Sequence, residues 1–146
     1  MRTPASIAGH PIHPMLVPIA IGCFVFSFAS DLICFFTGHP DPWNVLAYYT
    51  MIGGVIGALC AAVFGFVDLL SLSGFTKSIA IKHMSINLLV VVIYIVNIYL
   101  RHGDPHALKL PMLLSLVTVL LLLVSGWLGG KMVFEAGVGV STVETR

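Results

Sequence analysis

Charge is what this sequence has least of. Of 146 residues, seven are Lys or Arg and six are Asp or Glu, together 9%. A soluble domain carries about 25%, because its surface has to be solvated. A water-soluble globule is excluded on that ground. The net charge of +1 supplies no basic field, which excludes nucleic acid as a partner. Cysteine is scarce, and Cys23, Cys34 and Cys60 all fall inside apolar runs. There they read as small packing residues, since a disulfide framework would place its cysteines in loops and in even number. A Ser/His/Asp arrangement, a phosphate-cradling glycine loop and a reactive cysteine are also missing, so a stand-alone enzyme is not expected. A cleavable signal is not expected either: the first apolar run is about 22 residues long, beyond the ~7–15 of a signal core.

What is present is hydrophobic sequence, 58% of the chain, with a mean hydropathy of +1.04. Four apolar runs, at about 14–36, 43–70, 79–100 and 110–134, each reach the ~20 residues that cross ~30 Å of hydrocarbon at 1.5 Å per residue. In hydrocarbon every backbone N–H and C=O has to bond within its own segment or close into a barrel. The runs lack the alternation of barrel strands, so helices are expected. The separators TGHPDP, SLSGFTKS and RHGDPHALK are short polar turns that make consecutive spans antiparallel. The expected fold is all-α: a single integral membrane domain over residues 1–146, built as an up-down four-helix bundle.

An even number of spans puts both termini and the second loop on one side. That side holds Arg2, Lys77, Lys82, Lys131 and Arg146, and the other holds Arg101 and Lys109. The positive-inside bias then places both termini in the cytoplasm, with the chain multi-pass in a bacterial inner membrane. The same topology sorts the histidines: His10, His13 and His83 to the cytoplasmic side, His39, His102 and His106 to the other. His102 and His106 have helical ligand spacing, but Gly103 and Pro105 oppose a helix there, and no metal site is expected.

Both histidines of Gly9-His10-Pro11-Ile12-His13-Pro14 precede proline, which favours an extended backbone. In a polyproline-type stretch they would face the same way, with Pro14 as the first helical residue. On the third span, His83, Asn87, Tyr94 and Asn97 fall within about 40° of one direction at 100° per residue, a polar stripe that should face the bundle interior. Spans one and three are diagonal in an up-down bundle and run in the same direction. His13 and His83 would then project inward at similar depth, the arrangement two axial imidazoles need to hold a haem. A transition metal held by His10, His13 and His83, with Asp68 or Glu135, is the alternative. The third reading is structural, with histidines that cap helices or bond loop carbonyls. Asp68 could orient an imidazole as a hydrogen-bond partner.

Asp31 lies about 25 Å down the helix from Pro14, which makes Arg101 its economical ion-pair partner. Gly53, Gly57, Ala61 and Gly65 recur at spacing four, and Ser125-Gly126-Trp127-Leu128-Gly129-Gly130 forms a second small surface. Such faces let another backbone approach closely, inside the bundle or in an oligomer; a cofactor lying against them is the alternative.

The segments Gly9 to Val17 (GHPIHPMLV), Asp31 near the end of the first span, Gly65-Phe66-Val67-Asp68, Ser125 to Gly130 and Gly137-Val138-Gly139-Val140 resemble the DUF2231 family of small bacterial membrane proteins, in order and over nearly the whole chain. In the family it resembles, some members look to be joined to Rieske-type iron–sulfur modules, which implies membrane electron transfer; the resemblance carries over to His10, His13, Asp31 and Asp68. This chain has no iron–sulfur ligand set, so it would be the membrane part of such a system. It also lacks the second in-span histidine pair of di-haem four-helix cytochromes. The functional expectation is therefore one haem b, ligated by His13 and His83, with His10 as substitute ligand and Asn87 and Asp68 orienting them. Electrons would pass to or from quinone or a membrane redox partner. The alternatives are a haem-free metal-binding or small-solute membrane protein, and a structural anchor of a redox complex.

Overall fold

The computed structural model describes residues 3–103 and 109–140. Four helices carry the chain: α1 (Ile12–Thr37), α2 (Trp43–Leu70), α3 (Gly74–Gly103) and α4 (Lys109–Phe134). Each is long and apolar enough to cross a membrane, and they form an all-α bundle. Before α1, two short strands, β1 (Ser6–Ile7) and β2 (His10–Pro11), pair antiparallel, Ile7 opposite His10. Their turn is Ala8-Gly9, both with positive φ, the two-residue geometry that matches strand twist.

The helices follow one another around the ring. α1 packs most extensively on α2, and α3 on α4; the α2–α3 and α1–α4 seams are sparser. Two close hairpins therefore face each other, with α1 and α3 on the diagonal.

Polarity is inverted relative to a soluble protein. Large apolar side chains such as Phe36, Val63 and Leu123 point outward, while Ser27, Ser30, Asp31, Asn97, Ser115 and Thr118 are fully buried. Hydroxyls in hydrocarbon need acceptors, and two of these find backbone carbonyls of their own helix: Ser30 donates to Phe26 O at 2.9 Å and Thr118 to Leu114 O at 2.9 Å, both one turn back. Ser27 donates across to Ala47 O of α2 at 3.1 Å, a helix-to-helix bond of the kind that holds membrane bundles together.

Among the described residues, α1 and α3 meet across the diagonal at three levels. At the end bearing the termini, His13 faces His83. In the middle, Phe24 stacks flat on Tyr94, centroids 4.0 Å apart and planes 3° from parallel. At the far end Asp31 meets Arg101. The stripe expected on α3 does face inward, and Tyr94 and Asn97 are completely enclosed. The small-residue face of α2 serves packing within the chain. A Cβ on Gly54 would come 2.5 Å from the Phe24 ring, and one on Gly57 3.4 Å from the Ala20 backbone.

Two expected boundaries need correction. α1 begins at Ile12, with extended Pro11 before it, so His13 is helical and does not share a polyproline face with His10. Pro14 is tolerated as third residue of the helix because first-turn N–H groups have no intrahelical acceptor to lose. α3 begins at Gly74 rather than near Ile79, which leaves a connection of three residues, Ser71–Ser73. The polarity of Thr76, Lys77 and Ser78 marks the water-facing first turns of a helix, not a loop.

Candidate functional site

A cavity of about 420 Å³ lies between the two hairpins at the end that carries the termini. His13, His83, Asn87, Gly65 and Gly129 line it, and Thr3, Pro11 and Gly139 from the terminal segments close in at its mouth. Its walls are otherwise almost wholly apolar.

The two imidazoles are held in the same way. His13 Nδ1 lies 2.8 Å from Ala61 O of α2, and His83 Nδ1 lies 2.9 Å from Ser125 O and 3.0 Å from Ser125 Oγ of α4. A carbonyl only accepts, so each Nδ1 carries the proton and each ring, when neutral, keeps its lone pair on Nε2. Among the described residues no hydrogen bond engages either Nε2. Asn87 fixes the surroundings of His83: its Nδ2 donates to His83 O at 2.8 Å and to Ser125 Oγ at 2.7 Å. The ring centroids of His13 and His83 are 6.3 Å apart and the planes nearly perpendicular, at 87°.

Glycine makes room for the His13 ring but is not required beside His83. A Cβ on Gly65 would sit 2.8 Å from His13 Nδ1, whereas one on Gly129 would reach ordinary contact with His83 Cε1, at 3.5 Å. Gly65→Ala is expected to push the ring off Ala61 O and cost about 1–3 kcal/mol as an overpacked contact. Gly126→Ala, where a Cβ meets nothing within 4 Å, is the control and should lie within ~0.5 kcal/mol of wild type. Unfolding in mixed micelles compares the two.

The other expected site residues do not join the two imidazoles, although Asp68 also lines the cavity. His10 is exposed on β2 and does not join the pair. Asp68 is buried, but the bond that holds it is to the backbone N–H of Ala5, 2.9 Å from Oδ1. It therefore anchors the N-terminal hairpin, and among the described residues no hydrogen bond links it to an imidazole; the separation of 63 residues hid that partner. Glu135 faces Lys131 at 3.5 Å. Among the described residues, no group of three or more His, Cys, Asp or Glu side chains comes together to hold a metal ion, so the expected set of His10, His13 and His83 does not assemble. His106, Arg2 and Arg146 lie outside the described residues.

At the opposite end, Arg101 Nη2 meets Asp31 Oδ1 and Oδ2, each at 2.7 Å, and both residues are buried. Ser115 donates to Asp31 Oδ2 at 3.0 Å, and Arg101 Nε donates to Asn97 Oδ1 at 3.1 Å. Asn97 in turn donates to Pro111 O at 2.9 Å and Ser115 Oγ at 3.0 Å. The pair read from the sequence is thus the centre of a network joining α1, α3 and α4. The roles of Ser115 and Asn97 were not foreseen; Asn97 four residues before Arg101 was the available signal.

The family model for predicted membrane proteins of the DUF2231 type matches residues 9–142. The chain belongs to that family. Comparison with curated proteins and with solved structures gave no match. As a DUF2231 protein it is a polytopic membrane protein in contact with the lipid bilayer. Apart from Asp31, the segments that resemble the family gather around the cavity. Gly9–Pro14 supplies His13, Gly65–Asp68 supplies the notch beneath it and the hairpin anchor, and Ser125–Gly130 supplies the acceptor and the glycine at His83.

Proposed function

We propose that this DUF2231 protein is a membrane electron-transfer module that holds one b-type haem between His13 and His83. The observation that carries the reading is the pair itself: two imidazoles on diagonal helices, each with Nδ1–H tied to a carbonyl, both lining one apolar cavity. A metal-ligating histidine characteristically donates its second nitrogen in this way, which fixes the tautomer and raises ligand basicity. The cavity volume falls within the ~300–1,000 Å³ of ligand sites.

In this reading His13 and His83 would hold the haem iron, and Asn87 keeps Ser125 in place behind His83. The apolar walls of α1–α4 exclude water. Haem, when bound, supplies one-electron chemistry, and the protein's share is ligation, burial and hydrogen bonding. The end carrying the termini is cytoplasmic by the positive-inside bias, the membrane is the bacterial inner membrane, and the electron partner is quinone or a membrane redox protein.

The test is an absorption spectrum of detergent-purified protein, made with ample haem supply, before and after dithionite. A sharp reduced α-band of the b type is expected, and His13→Ala or His83→Ala should abolish it. A flat visible spectrum from correctly folded wild-type protein would sink the reading.

A further inference from the structure

The second end of the bundle carries a polar pocket that the haem reading does not use. It measures about 270 Å³ and lies between the start of α2 and the end of α3, with Asp41, Asn44, Tyr48, Tyr49, Arg101 and His102 in its walls. Arg101 is 2% exposed. Its Nη2 is spent on Asp31 and its Nε on Asn97. Its Nη1 is buried and, among the described residues, has no hydrogen-bond partner. A donor of a charged group left bare in hydrocarbon is costly, so a residue built this carefully on two sides should meet an acceptor on the third.

The charges around the pocket say which kind of acceptor. Asp31 already balances Arg101 at 2.7 Å, and Asp41 adds a carboxylate to the wall. A second anion would gain little there, whereas a neutral oxygen acceptor meets no such penalty. The two tyrosines offer aromatic surface, and the volume suits a single ring or an ester group, not a long tail.

We propose that this pocket binds the carbonyl oxygen of an uncharged, membrane-dissolved molecule through Arg101 Nη1. Two sources share that chemistry: the head of a quinone and the ester group of a lipid. The site stands on Arg101 and its pocket alone, so it survives if no haem is bound.

Trp43, beside Asn44, is one of two tryptophans in the chain, and in a Trp127→Phe background it reports on this end alone. The probe is decylubiquinone, titrated against that variant in nanodiscs of ether-linked lipid, with Trp43 fluorescence as readout. For a quinone source, saturable quenching is expected. Two further variants should weaken half-saturation at least about tenfold, as losing a hydrogen bond to a charged group does. Val45→Phe fills the pocket without touching the ion pair, and Arg101→Lys keeps the charge but removes Nη1. For a lipid source, native mass spectrometry of protein from ester-lipid membranes should show a retained lipid that Val45→Phe loses. Linear quenching equal in all variants, together with no retained lipid, would overturn the proposal.

Discussion

Asp31→Leu should cost the bundle about 3–5 kcal/mol, because it strands a buried guanidinium without its counter-charge. The carboxylate is fully enclosed and accepts two bonds from Arg101 Nη2 and one from Ser115 Oγ, so three hydrogen bonds are lost at once. Arg101 sits at the end of α3 and cannot reach water without unpacking that turn. The double variant Asp31→Leu/Arg101→Met should recover most of the loss, since replacing a buried pair by apolar residues of similar volume is often close to neutral. Reversible unfolding in mixed micelles measures all three chains. A single variant within 1 kcal/mol of wild type would show the pair to be solvated, contrary to its burial.

Phe24→Ala is expected to cost about 2–3 kcal/mol. In a soluble core the loss is ~3–5 kcal/mol, part of it transfer from water and part the cavity left behind. Lipid tails are as apolar as the bundle interior, so the transfer part falls away and the packing part remains. That part is large here because Phe24 fills the space between Gly54 of α2 and the Tyr94 ring of α3. Neither neighbour can follow it inward: Gly54 has no side chain, and the Tyr94 hydroxyl is 3.4 Å from Phe24 O. Phe24→Leu should recover roughly half of the loss, and the same micelle assay reads it. Equal stability of the Ala and Leu variants would mean that the site collapses and that the stack is incidental.

Legibility differed between the parts of the candidate site. Asp31 and Arg101 could be paired in advance because helical rise puts both at one end and ring order puts both on the diagonal. The inward direction of His83, Asn87, Tyr94 and Asn97 followed from the helical period. Phe24 and Gly54 carried no such signal, since an aromatic residue within an apolar run looks the same whether it faces lipid or a neighbour. The N-terminal hairpin was invisible for a related reason: Ala8-Gly9 is a weak turn signal beside Asn-Gly, and its anchor, Asp68, lies two helices away.

The sequence by itself determined the number of spans, their helical state, their antiparallel order and the polar face of α3 that turns inward. All of these follow from the solvent and the period: hydrocarbon admits only self-satisfied helices, and a 3.6-residue turn assigns each side chain a direction. Only the tertiary structure decided which inward groups meet. It put carbonyls of Ala61 and Ser125 at Nδ1 of the two histidines, opened a glycine notch beneath His13, took Asp68 for the hairpin, and left one nitrogen of Arg101 with no partner among the described residues. Those outcomes depend on distances of a few tenths of an ångström between helices, which are set by how the small residues of all four helices pack together and are not carried by any one span.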